Sequence, residues 1–281
     1  MVVNHKPALT VARDRSATPD ARDVSYYGGW GVTTCVPSRM GPPPLLALLL
    51  HRRICIICTP LPLAPETGSD PHDIGRLNDT EVVQVLRKGN EAVHFTKEPL
   101  EVGTIVEQEV DWERRFDHMQ QHSGQHLLSA VLEKEFTMGT TSWWLGCDES
   151  YIELDTATVS NDVVNSVEKK CNDLIKEAIP VTVKICKVCD PDVNEAHSAH
   201  TRGLPKDCMD TIRIICIGDF DENLCCGTHV TNLSQLQMIK LLGVEPGKKG
   251  KTILKFLVGN RITKVFQQML DREKVLTGLL K

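Results

Sequence analysis

Two imidazoles four residues apart, His122 and His126 in the run His122-Ser123-Gly124-Gln125-His126, fall on one face of a helix, one turn apart. Neutral imidazole is a donor for borderline-soft dications, zinc above all. His118 lies one turn earlier on the same face. A solvated, histidine-rich helix face is the competing reading of these residues taken alone. A second pair repeats the four-residue step: Cys225 and His229 in Cys225-Cys226-Gly227-Thr228-His229. It reads as a tight loop after a strand, with Gly227 permitting a sharp turn. One pair on a helix and one on a loop make a tetrahedral donor set for a single zinc ion: His122, His126, Cys225 and His229. Spacing favours Cys225, and Cys226 is the alternative ligand or a small neighbour.

Other candidates are weaker. Cys55-Ile56-Ile57-Cys58 and Cys186-Lys187-Val188-Cys189 have zinc-ribbon spacing. The first lies in an irregular segment and the second in a strand without turn residues, so both read as plain thiols. Cys147, Cys171, Cys208 and Cys216 read as structural. The histidine pair lacks the glutamate of His-Glu-x-x-His, which excludes the zinc-protease base. Gly250-Lys251-Thr252 ends like a phosphate loop, but residue 245 is Glu, so no ATP site is expected. Arg213, just before the second donor pair, is a candidate contact to phosphate or ribose, with a strand-edge charge as the alternative. Lys248, Lys249 and Lys251 crowd a hairpin turn and are candidate phosphate contacts, with a solvated turn as the alternative. Arg202 is open in the same way.

The elements that must position these groups sit in 281 residues, 41% hydrophobic and 25% charged, which suits one large domain or two small ones. A net charge of -5 argues against broad, non-specific nucleic-acid binding, and 5% aromatics argues against base-stacking platforms. Eleven cysteines, an odd number, do not make the even framework of a small secreted domain. The first forty residues lack the apolar core of a signal peptide. The run Leu45 to Leu50 falls far short of the ~20 residues a membrane span needs. The expectation is a soluble, reducing, cytoplasmic setting with no membrane partner.

Along the chain, residues 1–75 show no period and read as an irregular N-terminal segment. Residues 76–112 read as a small β unit, with strands over Glu81–Arg87, Ala92–Phe95 and Thr104–Val110. Residues 113–281 form the zinc-binding domain. Its first helix starts near Trp112, with Phe116, Met119, Leu127, Leu128, Val131 and Leu132 at helical spacing. Tyr151–Leu154 is a strand. Ser160 caps a helix that ends before Pro180. Strands follow at Val181–Cys186 and Thr211–Ile217. Leu236–Leu242 pairs with Lys251–Val258 across Glu245-Pro246-Gly247, and Asn260 caps a last helix. The predicted class is α+β: helices on a mostly antiparallel sheet, preceded by a small β unit that forms an incomplete barrel.

The stretch Asp111-Trp112-Glu113-Arg114-Arg115-Phe116-Asp117-His118-Met119-Gln120-Gln121-His122, continuing to His126-Leu127-Leu128, resembles the editing domain of alanyl-tRNA synthetases. It looks most like the freestanding, AlaX-like alanyl-tRNA editing proteins. Ile212 to Ile217, followed by Cys225-Cys226-Gly227-Thr228-His229-Val230, is similar to that family's second zinc motif. The resemblance runs from about Glu81 to Arg261. It implies an editing-domain-like fold and zinc on His122, His126, Cys225 and His229. It also implies hydrolysis in trans of mischarged tRNA, serine or sometimes glycine on alanine tRNA, in the service of translation fidelity. Cys226 stands where the family has Gly, leaving the donors intact. Gln125 stands where many relatives have Thr; it and Arg213 are the candidate catalytic residues. Pro65 to Gly75 keeps the frame of the family's glycine-rich loop but carries Thr67, Ser69 and Asp70 in its centre. That departure motivates a second reading, a zinc-stapled tRNA-binding or interaction module with impaired catalysis. A zinc hydrolase of another class is the third, and it lacks a carboxylate beside the histidines.

Overall fold

Alternating burial sets the strands. Leu77, Val82 and Val85 face inward while Arg76, Glu81 and Val83 face out. The structure, a computed structural model, describes residues 53–54, 72–88, 91–101, 106–187 and 211–280. The expectations for Cys55, Cys58, Cys189, Arg202 and Cys208, and for Pro65 to Pro71 of the glycine-loop frame, lie outside the described residues. The chain divides into two compact units, residues 1–115 and 116–281.

The first unit holds one antiparallel five-stranded sheet. Its strands are β1 (Arg53–Ile54), β2 (Gly75–Leu77), β3 (Thr80–Lys88), β4 (Glu91–Thr96) and β5 (Gln108–Val110), in the order β1-β4-β3-β2-β5. Its described core is Leu77, Val82, Val85, Val106 and Val110. The outer strands β1 and β5 do not pair, so the sheet is open and no closed barrel forms among the described residues. Asp73 and Arg115 form a buried ion pair, with Nε 2.8 Å from Oδ2.

Helix α1 (Trp112–Phe136) opens under Asp111, whose Oδ1 accepts from the Arg114 N–H at 3.0 Å. It runs on into the second unit. There β6 (Thr140–Leu145), β7 (Ser150–Leu154), β11 (Ile239–Pro246) and β12 (Thr252–Val258) form an antiparallel sheet in the order β11-β12-β7-β6. A second antiparallel sheet, β10-β9-β8, contains β8 (Val181–Lys187), β9 (Thr211–Ile217) and β10 (Asp221–Leu224). Helix α2 (Asn161–Lys176) is capped as expected, Ser160 Oγ accepting from Val163 N at 3.3 Å. It is stitched to β11: the Asn172 side chain pairs with both backbone groups of Ile239, and Glu168 accepts from Leu241 N at 2.7 Å. The core holds Leu127, Leu128, Val131 and Leu132 of α1 together with Ile152, Leu154, Leu254, Phe256 and Val258 of the larger sheet. Among the described residues no helix is long and apolar enough to cross a membrane.

The architecture is α+β and antiparallel, as expected. Three local expectations are corrected. The hairpin turn is at Gly247–Lys251, because β11 runs on through Pro246; β11 is an edge strand, where a missing N–H costs no ladder bond. Leu236 sits in a short 3₁₀ turn rather than in the strand. Asn260 is the first residue of the last helix, α3 (Asn260–Leu279), and not its cap: Gly259 takes the cap position without a side-chain bond. Asn260 instead accepts from Gln237 and donates its backbone N–H to Gln120 Oε1. Strands β6 and β10 were not anticipated.

Candidate metal centre

Helix α1 has its polar face turned inward. His118, Gln120, Gln121, His122, Ser123, Gln125, His126 and Ser129 are all buried. Such groups are kept only where partners satisfy them. The Gln121 amide pairs with both backbone groups of Val258, at 2.9 and 3.2 Å. Gly124 lets the helix come close to β12, since a Cβ there would lie 2.5 Å from Val258 Cγ2. These contacts fix the turn that carries His122 and His126.

The loop after β10 brings Cys225 and His229 to that turn. The four candidate donor atoms of His122, His126, Cys225 and His229 all lie within 4.8 Å of one another. Three pairs are in direct contact: His126 Nε2 to His122 Nε2 at 3.2 Å, Cys225 Sγ to His122 Nε2 at 3.4 Å, and His229 Nε2 to Cys225 Sγ at 3.3 Å. All three rings turn Nε2 inward. A tetrahedral ion with metal–nitrogen bonds of about 2.0–2.1 Å and a metal–sulfur bond of about 2.3 Å sets nitrogens roughly 3.3 Å apart and nitrogen from sulfur roughly 3.6 Å. Three of the six donor separations therefore stand near tetrahedral edges, and the donor set fits a metal ion.

The electrostatics of the pocket favour the ligating forms. Burial alone would raise the Cys225 thiol, but the charges of His122, His229 and His126 reverse this and hold it well below the usual thiol range. A backbone N–H from Gly227, 3.4 Å from Sγ, favours the thiolate further. Burial, then the charge of His122, holds His229 well below the usual imidazole range, against the opposing pull of Cys225. Both shifts mean that the folded chain binds fewer protons than the unfolded one. Stability in the metal-free protein is thus present above the ordinary values and lost as pH falls, through the thiol range for Cys225 and then below about pH 6.5 for His229. The expected result is a metal-free melting temperature that drops between about pH 7 and about pH 5, with a shallower slope in His229→Gln. An equal slope in both proteins contradicts it.

The remaining sequence candidates are placed as follows. Cys226 is exposed and outside the donor group, so the Cys225 alternative is the one brought to the histidines. His118 is buried on α1 but is not among the clustered donors. Gln125 is fully buried and donates to Ser129 Oγ at 2.9 Å, which also takes a bond from Thr140. Arg213 Nη1 donates to two loop carbonyls, Cys225 O at 3.0 Å and Gly227 O at 2.6 Å. Lys251 is engaged by Glu153 and Thr141, at 2.8 and 2.9 Å. The bond from Lys251 holds the Glu153 carboxyl below its usual range. Lys248 and Lys249 are exposed in the turn. Sequence reasoning missed Ser123, whose Oγ is 3.0 Å from His229 Nδ1 and accepts from Val230 N at 3.0 Å. Its only signal was its position between two candidate ligands.

Comparison with known proteins gives the site its relatives. Residues 212–255 match the family described as the threonyl and alanyl tRNA synthetase second additional domain. The chain is 51% identical over 219 residues to alanyl-tRNA editing protein Aarsd1 of Bos taurus, covering 78% of this chain and 49% of that protein. It is 34% identical over 230 residues to the putative alanyl-tRNA editing protein alaX of Saccharomyces cerevisiae, covering 72% and 50%. It is 30% identical over 213 residues to the alanyl-tRNA editing protein AlaX-L of Pyrococcus horikoshii, covering 73% and 52%. Two kinds of match agree: a domain that contains the Cys225–His229 loop, and relatives aligned over more than two thirds of the chain. The chain, which spans about half the length of these relatives, is a homologue of the alanyl-tRNA editing proteins.

Proposed function

We propose that this chain is a zinc-dependent deacylase that hydrolyses mischarged tRNA in trans, serine on alanine tRNA being the expected substrate. Residues 113–281 are its editing domain, residues 76–112 a β unit and residues 1–75 an N-terminal segment. His122, His126, Cys225 and His229 hold one zinc ion. The observation that carries the reading is the grouping of these four donor atoms within 4.8 Å of one another in a homologue of editing proteins. Bound zinc supplies a Lewis acid that can polarise a carbonyl or lower the pKa of water.

The rest of the work falls to the chain. An aminoacyl ester is activated, so positioning supplies much of the rate. Four protein ligands close a zinc site, so the metal's main role here is to staple the loop to α1 and shape the pocket. Gln125 lies one residue before His126, inside the polar network, where it tunes the helix wall. Lys248 and Lys249 are exposed cations of the turn and are available for tRNA phosphate. The cytoplasm is the expected compartment.

The test is zinc content per chain together with deacylation of Ser- and Ala-charged alanine tRNA. One zinc per chain, rapid release of serine and sparing of alanine are expected. Zinc bound with every mischarged tRNA left intact would favour the second reading, a zinc-stapled binding module, which the altered centre of Pro65 to Gly75 motivates.

A further inference from the structure

The donor loop and the donor helix belong to distant parts of the chain, and hydrogen bonds beside the donors themselves join them. We infer that Ser123 and Arg213 are positioning residues of this centre, holding the Cys225–His229 loop in its ligating form. The inference rests on the zinc-site reading above.

Ser123 sits on α1 beside His122 and is buried. It reaches across to the loop, where Val230 N donates to Oγ at 3.0 Å and His229 Nδ1 lies at 3.0 Å. With His229 Nε2 turned to the donor group, Nδ1 carries the ring proton and donates it to Oγ. One buried hydroxyl thereby fixes both the tautomer and the rotation of His229, the role that outer hydrogen-bond partners play at metal sites generally. Because Ser123 is adjacent to His122, any turn of α1 that moves His122 also moves the anchor of His229. The two halves of the donor set are therefore in register by construction.

Arg213 does the same from the other side of the loop. Its backbone carbonyl accepts from Cys225 N at 3.2 Å, and its Nη1 donates to the carbonyls of Cys225 and Gly227. The one Nη1 serves both carbonyls through its two N–H groups, whose directions the planar guanidinium fixes, whereas an ammonium on a flexible stem does not fix them. Holding those carbonyls on the Arg213 side fixes the turn at Gly227, whose N–H is aimed at Cys225 Sγ. Arg213 thus acts through the backbone of the loop rather than on substrate.

The test is zinc affinity, by competition with a chromophoric chelator, and the sulfur-to-cobalt charge-transfer band of the Co(II)-loaded chain. Ser123→Ala is expected to weaken zinc binding by on the order of 10- to 100-fold and to shift the cobalt band, with Ser123→Thr restoring affinity to within about threefold. Arg213→Lys is expected to weaken binding by on the order of tenfold. If Ser123→Ala does not fold, Arg213→Lys and Ser123→Thr carry the test. Wild-type affinity and spectrum in Ser123→Ala and Arg213→Lys would overturn the inference, as would equal loss in Ser123→Ala and Ser123→Thr, which indicates packing alone. A wild-type chain that binds no zinc would remove the reading beneath it; a wild-type chain that binds zinc tightly beside unaffected variants removes only this inference.

Discussion

Cys225→Ala is expected to lower zinc affinity by on the order of a hundred- to a thousandfold and to take deacylation below detection, while the chain stays folded. Structural zinc in small sites is worth roughly 10–16 kcal/mol, so one donor of four carries about 3–4 kcal/mol, or two to three decades in affinity. Cys225 is the one donor that becomes anionic, and its thiolate is favoured by the three histidines around it. It is only half-buried and flanks the core rather than filling it, so its truncation opens little cavity. His126→Ala should give the same double loss. Cys226→Ala is the matched control: its thiol is exposed and apart from the donors, so zinc content and activity should be unchanged. Metal analysis and single-turnover deacylation on the same preparations read both effects. A zinc-free Cys225→Ala chain that still deacylates at the wild-type rate would sink the metal's part in the activity.

The clustering of the four candidate donors was legible because ligation demands particular residue types at particular steps. His122 and His126 had to be one helical turn apart, and Cys225 and His229 had to straddle a glycine; both are local patterns. The positioning residues were not legible, since Ser123 and Arg213 work through backbone atoms of a loop that folding brings to them. The helix α1 was found from its apolar spacing; a solvated polar face was the competing reading of its histidines, and these residues are buried. A run from His118 to Ser129 that leaves no face free for water was the available sign. Strand β10 hid for a related reason. Asp221 and Asn223 look like loop residues, yet both are buried, and the Asn223 amide donates to the Asp221 carboxylate at 2.5 Å. Strand β6 carries Thr140-Thr141-Ser142-Trp143-Trp144, whose two adjacent tryptophans mask the alternation, with Trp144 exposed and Trp143 half-buried. The Asn260 cap was a reasonable expectation from residue type, overturned because Gly259 supplies a backbone angle no side-chain residue takes easily.

That angle sets the second large effect: Gly259→Ala is expected to destabilise the chain by roughly 3–5 kcal/mol. Gly259 joins β12 to α3 at φ 60° and ψ -128°, a region costing about 1–3 kcal/mol for a residue with a Cβ. The added methyl would also lie 2.3 to 2.4 Å from the Gln120 amide. Gln120 cannot swing away, because it is fully buried and its amide donates to Gln235 O at 2.7 Å while accepting from Asn260 N at 3.1 Å. Losing those bonds adds about 0.5–1.5 kcal/mol each. Gly278 provides the opposite case within α3: a Cβ there meets nothing within 4 Å, so Gly278→Ala should be neutral or stabilise by up to about 1 kcal/mol. Urea unfolding of both variants reads the contrast directly, as a fall in midpoint for one and none for the other. Gln120 is also two residues from His122, so whatever shifts its amide tilts the turn that carries the ligand. Gly259→Ala should therefore weaken zinc binding as well as the fold, and Gly278→Ala should leave zinc affinity alone. A Gly259→Ala chain as stable as wild type would mean that the junction of β12, α1 and α3 relaxes freely, and the rigid placement of His122 argued from it would fall.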